Sequence, residues 1–172
     1  NHPQGPQTRL VWDQAVDLGG QVSSDGRYFS YTDWNSDDLG LAVRDLFSGQ
    51  NLTVTRMGPW KTTQTEVGPS AVSPDGKSVA FAYTTYTDTR SDQHTRLAVI
   101  GIDGSNQRVL LEGGGLDYVH PFSWSPDGKW IAASVVYRGE KPGGRDSIAL
   151  VSLDGQVRHL PVKDELWAYN AS

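Results

Sequence analysis

Residues 73–83 read SPDGKSVAFAY, and residues 125–135 read SPDGKWIAASV. A looser version, SSDGRYFSY, fills residues 23–31. The three Asp-Gly pairs, Asp25-Gly26, Asp75-Gly76 and Asp127-Gly128, follow one another at intervals of about 50 residues. A second landmark repeats in step: Leu41-Ala42-Val43, Leu97-Ala98-Val99 and Ile148-Ala149-Leu150. Beyond each triplet come Leu46, Ile102 and Leu153, and then the turns Ser48-Gly49, Asp103-Gly104 and Asp154-Gly155. A catalytic motif is needed once, whereas a structural unit is needed repeatedly. These stretches therefore read as architecture.

Each copy carries its own folding instructions. Pro74 and Pro126 preset φ at the first corner of a turn, the Asp accepts backbone N–H groups, and the Gly takes a conformation that other residues resist. Ser24 stands where the other two copies have proline, which makes a less rigid turn. After the turn, Phe29, Val79 and Ile131 are apolar, Ser30, Ala80 and Ala132 are small, and Tyr31, Phe81 and Ala133 can pack. That alternation describes a strand with one bulky face and one face that admits a close neighbour.

Before the turn, Val22, Val72 and Trp124 each precede a serine, so a short strand enters it. The expected strands are 19–23, 28–32, 40–46 and 52–55 in the first unit, and 68–73, 78–83, 96–102 and 107–111 in the second. The third unit has 121–125, 130–137, 147–153 and 157–160. Four short antiparallel strands repeating at this period are the signature of β-propeller blades.

The wording SPDGKSVAF and SPDGKWIAA, followed by LAVIGIDG and IALVSLDG, resembles the TolB-type, WD40-like propeller repeat over residues 8–172. The resemblance implies an all-β propeller portion of three four-stranded blades, at 16–56, 66–112 and 118–161. Similar repeats occur in the periplasmic protein TolB, in the substrate-gating propeller of prolyl-oligopeptidase-like hydrolases, and in large bacterial proteins of unknown role. The phrases VDLGGQVSSDGRYFSYTDW and LAVRDLFSGQNLTVT look most like the last group. A bacterial protein working in the periplasm or outside the cell is what the resemblance implies.

The ends cut across the repeat. Residues 1–7 read as a loose leader. Thr8-Arg9-Leu10-Val11-Trp12 resembles Gln107-Arg108-Val109-Leu110-Leu111, the outermost strand of a blade, yet no inner strands precede it. Residues 166–172 stand where the inner strand of a further blade would begin. Propellers close with four to eight blades. The expectation is a portion of a larger ring, with self-association of two copies as the alternative.

Composition narrows the function. The chain of 172 residues has 37% apolar residues, enough for a real core, and its Gly 19 and Pro 9 favour turns over long helices. A net charge of −5 with no basic run argues against a nucleic-acid surface. There is no apolar stretch of membrane-spanning length, so no membrane span is expected. With Cys 0, neither thiol catalysis nor disulfides are available.

No G-x-S-x-G elbow is present. Ser23, Ser73 and Ser125 recur with the fold and read as turn formers. The glycine runs at 113–115 and 142–144 are loop tips, lacking the lysine and helix start of a phosphate loop. Asp33, Asn35 and Asp37 begin like a calcium loop, but Asp38 stands where glycine is needed and Arg44 where glutamate is needed. They are a weak metal candidate, and no other cofactor is implied.

What remains is a binding surface. The loops joining second to third strands, and one blade to the next, share one face. Trp34, Trp60, Tyr86, Tyr118 and His120 fall there and are the candidate partner contacts. The leading expectation is a non-catalytic binding or scaffold module for another protein or for the rest of its own propeller. The gating propeller of a serine hydrolase and an extracellular assembly or sensor protein are the alternatives.

Overall fold

The computed structural model describes residues 20–34, 40–87, 92–138 and 147–160. The fold begins with the turns. In each, the serine hydroxyl donates to the aspartate two residues on: Ser23 to Asp25, Ser73 to Asp75 and Ser125 to Asp127, all at 2.6 Å. The same serine oxygen accepts the N–H of Tyr28, Ser78 and Trp130, at 2.8, 2.9 and 3.0 Å. The aspartate accepts the N–H of Arg27, Lys77 and Lys129. The glycine N–H returns to the serine carbonyl, with φ of 72°, 68° and 69°. The serine hydroxyl, the aspartate carboxylate and the glycine N–H of each corner are thus engaged, and the first copy keeps these bonds with Ser24 in place of proline.

These turns join antiparallel strands into sheets. The first sheet contains β1 (Tyr28–Asp33), β2 (Gly40–Asp45) and β3 (Asn51–Arg56). A short helix α1 (Trp60–Thr63) leads to β4 (Thr65–Val72), β5 (Ser78–Tyr86), β6 (Gln93–Gly101) and β7 (Arg108–Glu112), which form the second sheet in that order. The third holds β8 (Leu116–Trp124), β9 (Trp130–Tyr137), β10 (Ser147–Ser152) and β11 (Val157–His159). The landmark residues Leu46, Ile102 and Leu153 each donate their N–H to the carbonyl of the residue after an Asp-Gly pair, Arg27, Lys77 and Lys129. That bond locks the third strand to the first turn and explains why the two landmarks share one period.

All three inner-strand expectations are corrected, and β5 and β6 both run further toward their shared turn than the expected 78–83 and 96–102. In the first sheet the innermost strand is, among the described residues, a single bridge, Val22 to Phe29, flanked by Ser30 N–H on the Gln21 carbonyl at 3.1 Å. In the second, the inner strand starts at Thr65 rather than residue 68, because a bulge between Val67 and Ser70 carries the ladder past Pro69. In the third it starts at Leu116 rather than residue 121, with bulges on both sides of Pro121. Both prolines lie on the innermost strand of their sheet, an edge where a missing N–H breaks no ladder. The expected strand starts stopped at proline and missed what a bulged edge permits.

Packing between sheets makes the core. One apolar cluster joins Leu41, Val43 and Val54 of the first sheet to Val67, Val79, Phe81 and Ile100 of the second. Another joins Leu97, Val99 and Leu110 of the second to Val119, Ile131, Val135 and Val151 of the third. The outer strands β3 and β7 each bulge at one residue, Val54 and Leu110, and both bulged side chains are buried in the joint. Their carbonyls lie under the next sheet's Asp-Gly turn. A Cβ on Gly104 would sit 2.7 Å from the Val54 oxygen, and one on Gly155 would sit 3.3 Å from the Leu110 oxygen. Hydrogen bonds complete the joints: Ser70 Oγ to Ser30 Oγ at 2.9 Å, Thr32 Oγ1 to the Val67 carbonyl at 3.2 Å, and Trp124 Nε1 to the Ala71 carbonyl at 3.0 Å.

The turn aspartates connect the fold to pH. The carboxyls of Asp25, Asp75 and Asp127 are held below the ordinary 3.8, first by the serine hydroxyl and then by the backbone N–H. A lowered native pKa gives stability that is present above the unfolded value and lost as pH falls through the native one. Ser73 is buried, so Ser73→Ala removes a shielded donor and acceptor and is expected to cost about 1–2 kcal/mol. The melting temperature should fall by roughly 2–8 °C. Denaturant titrations below pH 4 should show a shallower acid loss for Ser73→Ala than for the unsubstituted chain; parallel curves would contradict the latch.

Candidate functional site

The face expected to bind carries α1 and the β7–β8 connection, while the loops after β5 and β9 extend outside the described residues. A groove of about 350 Å³ lies between the second and third sheets, walled by Gln93, His94, Arg96, Glu112, Leu116 and Arg138. On the third-sheet side, β8 bulges. The bulge falls on Asp117, between the paired residues Leu116 and Tyr118. Relieved of its ladder partner, Asp117 becomes the hub of the joint. Its carbonyl accepts Gln93 Nε2 and Thr95 Oγ1, both at 2.8 Å, and its carboxylate accepts Gln93 Nε2 at 3.0 Å and Arg138 Nε at 2.6 Å.

A second ion pair closes the other wall. Arg96 Nε donates to Glu112 at 3.0 Å, and the guanidinium lies over the Tyr83 ring at 5.5 Å. Arg96 and Arg138 and the carboxylates Asp92 and Glu112 line the groove, and each arginine is paired, Arg96 with Glu112 and Arg138 with Asp117. In half-exposed pairs such as these the Coulomb gain is about 1 kcal/mol or less, so they orient the walls more than they stabilise them.

The five aromatic candidates do not form one cluster. Trp34 follows β1 and is exposed, and Trp60 opens α1 half-buried. Trp60 meets Tyr86 edge-on, with ring centroids 5.5 Å apart, while the Tyr86 hydroxyl donates to Glu66. Tyr86 thus ends strand β5 instead of occupying a loop. Tyr118 and His120 also lie on a strand, β8, and not in the connection before it. The reason is local: Thr84, Thr85 and Tyr86 favour pairing and find Thr95, His94 and Gln93 opposite. Tyr118 is exposed, and its hydroxyl lies 3.3 Å from His120 Nδ1.

Of the calcium candidates, Asp33 ends β1 half-buried, whereas Asn35 and Asp37 lie outside the described residues. Among the described residues, no three His, Asp or Glu side chains gather to hold a metal. No helix among them is long and apolar enough to cross a membrane. Asp117, Arg138 and Gln93 were invisible as a site in the sequence. Their spacing has no motif, and only the bulge brings them together.

The chain carries a TolB-like β-propeller fold, with its sheets stacked but not closed into a ring. It superposes on TolB from Acinetobacter baumannii with a TM-score of 0.65 at 20% identity, covering 92% of this chain and 36% of that one. A putative TolB from Agrobacterium tumefaciens matches with a TM-score of 0.59 at 20% identity, over 88% of this chain and 51% of that one. An acylaminoacyl peptidase bound to Z-Gly-Gly-Phe-chloromethyl ketone matches with a TM-score of 0.56 at 15% identity, over 86% of this chain and 25% of that one. The chain thus spans between a quarter and about half of these structures. No family model and no curated protein matches it.

His120 offers a test of the shielding along β8. Desolvation holds its imidazole below the ordinary 6.5. It therefore remains neutral at neutral pH, and stability is lost as pH falls below the unfolded value, since the unfolded chain binds the proton more readily. In an NMR titration the His120 ring should titrate below 6.5; a midpoint at or above that value would contradict the shielding by β8 and its neighbours.

Proposed function

We propose that the chain is a non-catalytic binding module that holds a segment of a protein partner along the groove at Asp117. The observation that carries this reading is the groove itself, lined by charges of both signs, with Arg96 and Arg138 held in place by ion pairs. Paired charges with exposed edges suit an extended peptide, whose alternating donors and acceptors match both signs. The compartment belongs to the same proposal: the likeness to TolB favours the periplasm or the exterior.

A second reading is the gating propeller of a serine hydrolase, favoured by the fold shared with an acylaminoacyl peptidase and with prolyl endopeptidases. In that case the groove would face a peptide in transit and hold it only weakly.

Selection from a displayed library of random peptides tests the first reading. Peptides retained by the chain should lose about tenfold or more in affinity on Arg96→Gln and on Arg138→Gln, as central contacts do. Val109→Ala, on the outer strand, should leave affinity unchanged. Failure to enrich any peptide, or equal binding by all variants, would contradict the proposal.

A further inference from the structure

The two joints between sheets differ at one repeated position. The latch serine takes the N–H of Tyr28 in the first sheet, of Ser78 in the second and of Trp130 in the third, so these residues are equivalent. Two of them are aromatic, and each ring lies under a guanidinium. Arg27 is 4.9 Å from the Tyr28 centroid, and Arg158 is 4.4 Å from that of Trp130. The Tyr28 ring also fills the joint with the second sheet: a Cβ on Gly76, in that sheet's turn, would sit 3.1 Å from Tyr28 Cε2. In the next joint the turn glycine is Gly128, at φ of 69° against 68° for Gly76. Nothing lies within 4 Å of its Cβ, because Ser78 has no ring to offer.

The space that a ring takes up in the first joint is open in the second. It is a cleft of about 390 Å³ bounded by Ser78, Val99, Arg108, Trp124, Gly128 and Leu153, within the roughly 300–1,000 Å³ of ligand sites. Trp124 stands where the first joint has Val72, but its indole is pinned to the Ala71 carbonyl at 3.0 Å and forms a wall. Arg108 is the counterpart of Arg158, because the two pair with Val99 and Leu150, the third residues of their triplets. Arg158 covers Trp130, whereas Arg108 has no ring beneath it. Among the described residues the Arg108 side chain makes no hydrogen bond or ion pair. A second cleft of about 620 Å³, walled by Lys77, Asp103 and Ser105, shares Ser78, Val99 and Arg108 with the first. A ring-sized pit thus opens onto a polar groove.

We infer that this cleft binds an aromatic side chain, tyrosine above all, presented by an extended segment of a partner protein. The ring enters between Ser78 and Gly128, as Tyr28 lies against Gly76, and the Arg108 guanidinium covers its face. A phenol hydroxyl finds the Ser78 hydroxyl, which has no hydrogen-bond partner among the described residues. The rim carboxylates of Asp75 and Asp127 repel a phosphorylated or carboxylated ring. The adjoining groove decides for a ring carried on a chain: Lys77, Asp103 and Ser105 engage the flanking peptide groups, which a free aromatic molecule lacks. Ser78 and Gly101 lie at the opposite end of the β5–β6 ladder from Gln93, so this site is separate from the Asp117 groove and stands without it.

The Trp124 indole N–H reports on the cleft directly in a nitrogen-15 NMR titration. N-acetyl-tyrosinamide should shift it saturably, with a Kd on the order of 1 mM for so small a probe. N-acetyl-leucinamide, apolar but without a ring, should give no saturable shift. p-Cresol, the same ring without a peptide backbone, should bind about threefold or more weakly than the tyrosine amide. Arg108→Gln removes the cation over the ring and should weaken the tyrosine amide about threefold. Ser78→Tyr fills the cleft from within, as Tyr28 does in the first joint, and should abolish the shift. No saturable shift with the tyrosine amide, equal binding of the leucine amide, or unchanged affinity in Arg108→Gln would overturn the inference. Equal affinity for p-cresol would overturn the assignment to a partner protein, since a free aromatic ligand would serve as well. Should Ser78→Tyr fail to fold, Arg108→Gln still decides, because that side chain holds no other described residue in place.

Discussion

Every part of this molecule depends on one sheet covering the face of the sheet before it. A single four-stranded blade has too little apolar area to be stable alone, and repeats gain stability by stacking. The joint here is specific as well as greasy. The outer strand bulges so that Val54 or Leu110 turns inward, and the freed carbonyl meets a glycine on the next sheet, with no room for a Cβ at Gly104. Bulge and glycine are one device seen from two sides. Neither would be needed if blades merely lay against each other.

The turns serve that stacking. A Ser-x-Asp-Gly corner fixes where the second strand begins, and the N–H of Leu46, Ile102 or Leu153 ties the third strand to the same corner. The rigid corner sets the register of β5 on β6 and of β9 on β10. That register in turn puts Leu97 and Val99, or Ala149 and Val151, on the faces that meet their neighbours.

Much of this was legible in the sequence, because repetition places equivalent residues side by side. The Asp-Gly turns, the small-and-bulky alternation at Ser30, Ala80 and Ala132, and the triplets at Leu41, Leu97 and Ile148 all report local rules that hold in every copy. The serine's role as latch was half visible: its recurrence was evident, but its double bond to aspartate and backbone was not. The irregular features were hidden. Bulges at Gly68–Pro69, Asp117 and Phe122 arise from pairing across a sheet and leave no periodic trace, so Tyr118 and His120 read as loop residues when they are strand residues. The groove around Asp117 was lost for the same reason, since Gln93, Thr95 and Arg138 converge on it only in space.

Whether the glycine-on-carbonyl joint governs the stack is settled most directly by comparing Gly104→Ala with Gly128→Ala in equilibrium unfolding. Both glycines have positive φ, 83° and 69°, so both substitutions carry a backbone cost of roughly 1–2 kcal/mol. At Gly128 nothing lies within 4 Å of the added methyl, while at Gly104 the Val54 carbonyl is 2.7 Å away and is main chain that cannot swing aside. The account predicts that Gly104→Ala costs at least about 1–2 kcal/mol more than Gly128→Ala, as overpacking does. Equal losses would contradict it, and would mean that the blades are held by apolar area alone.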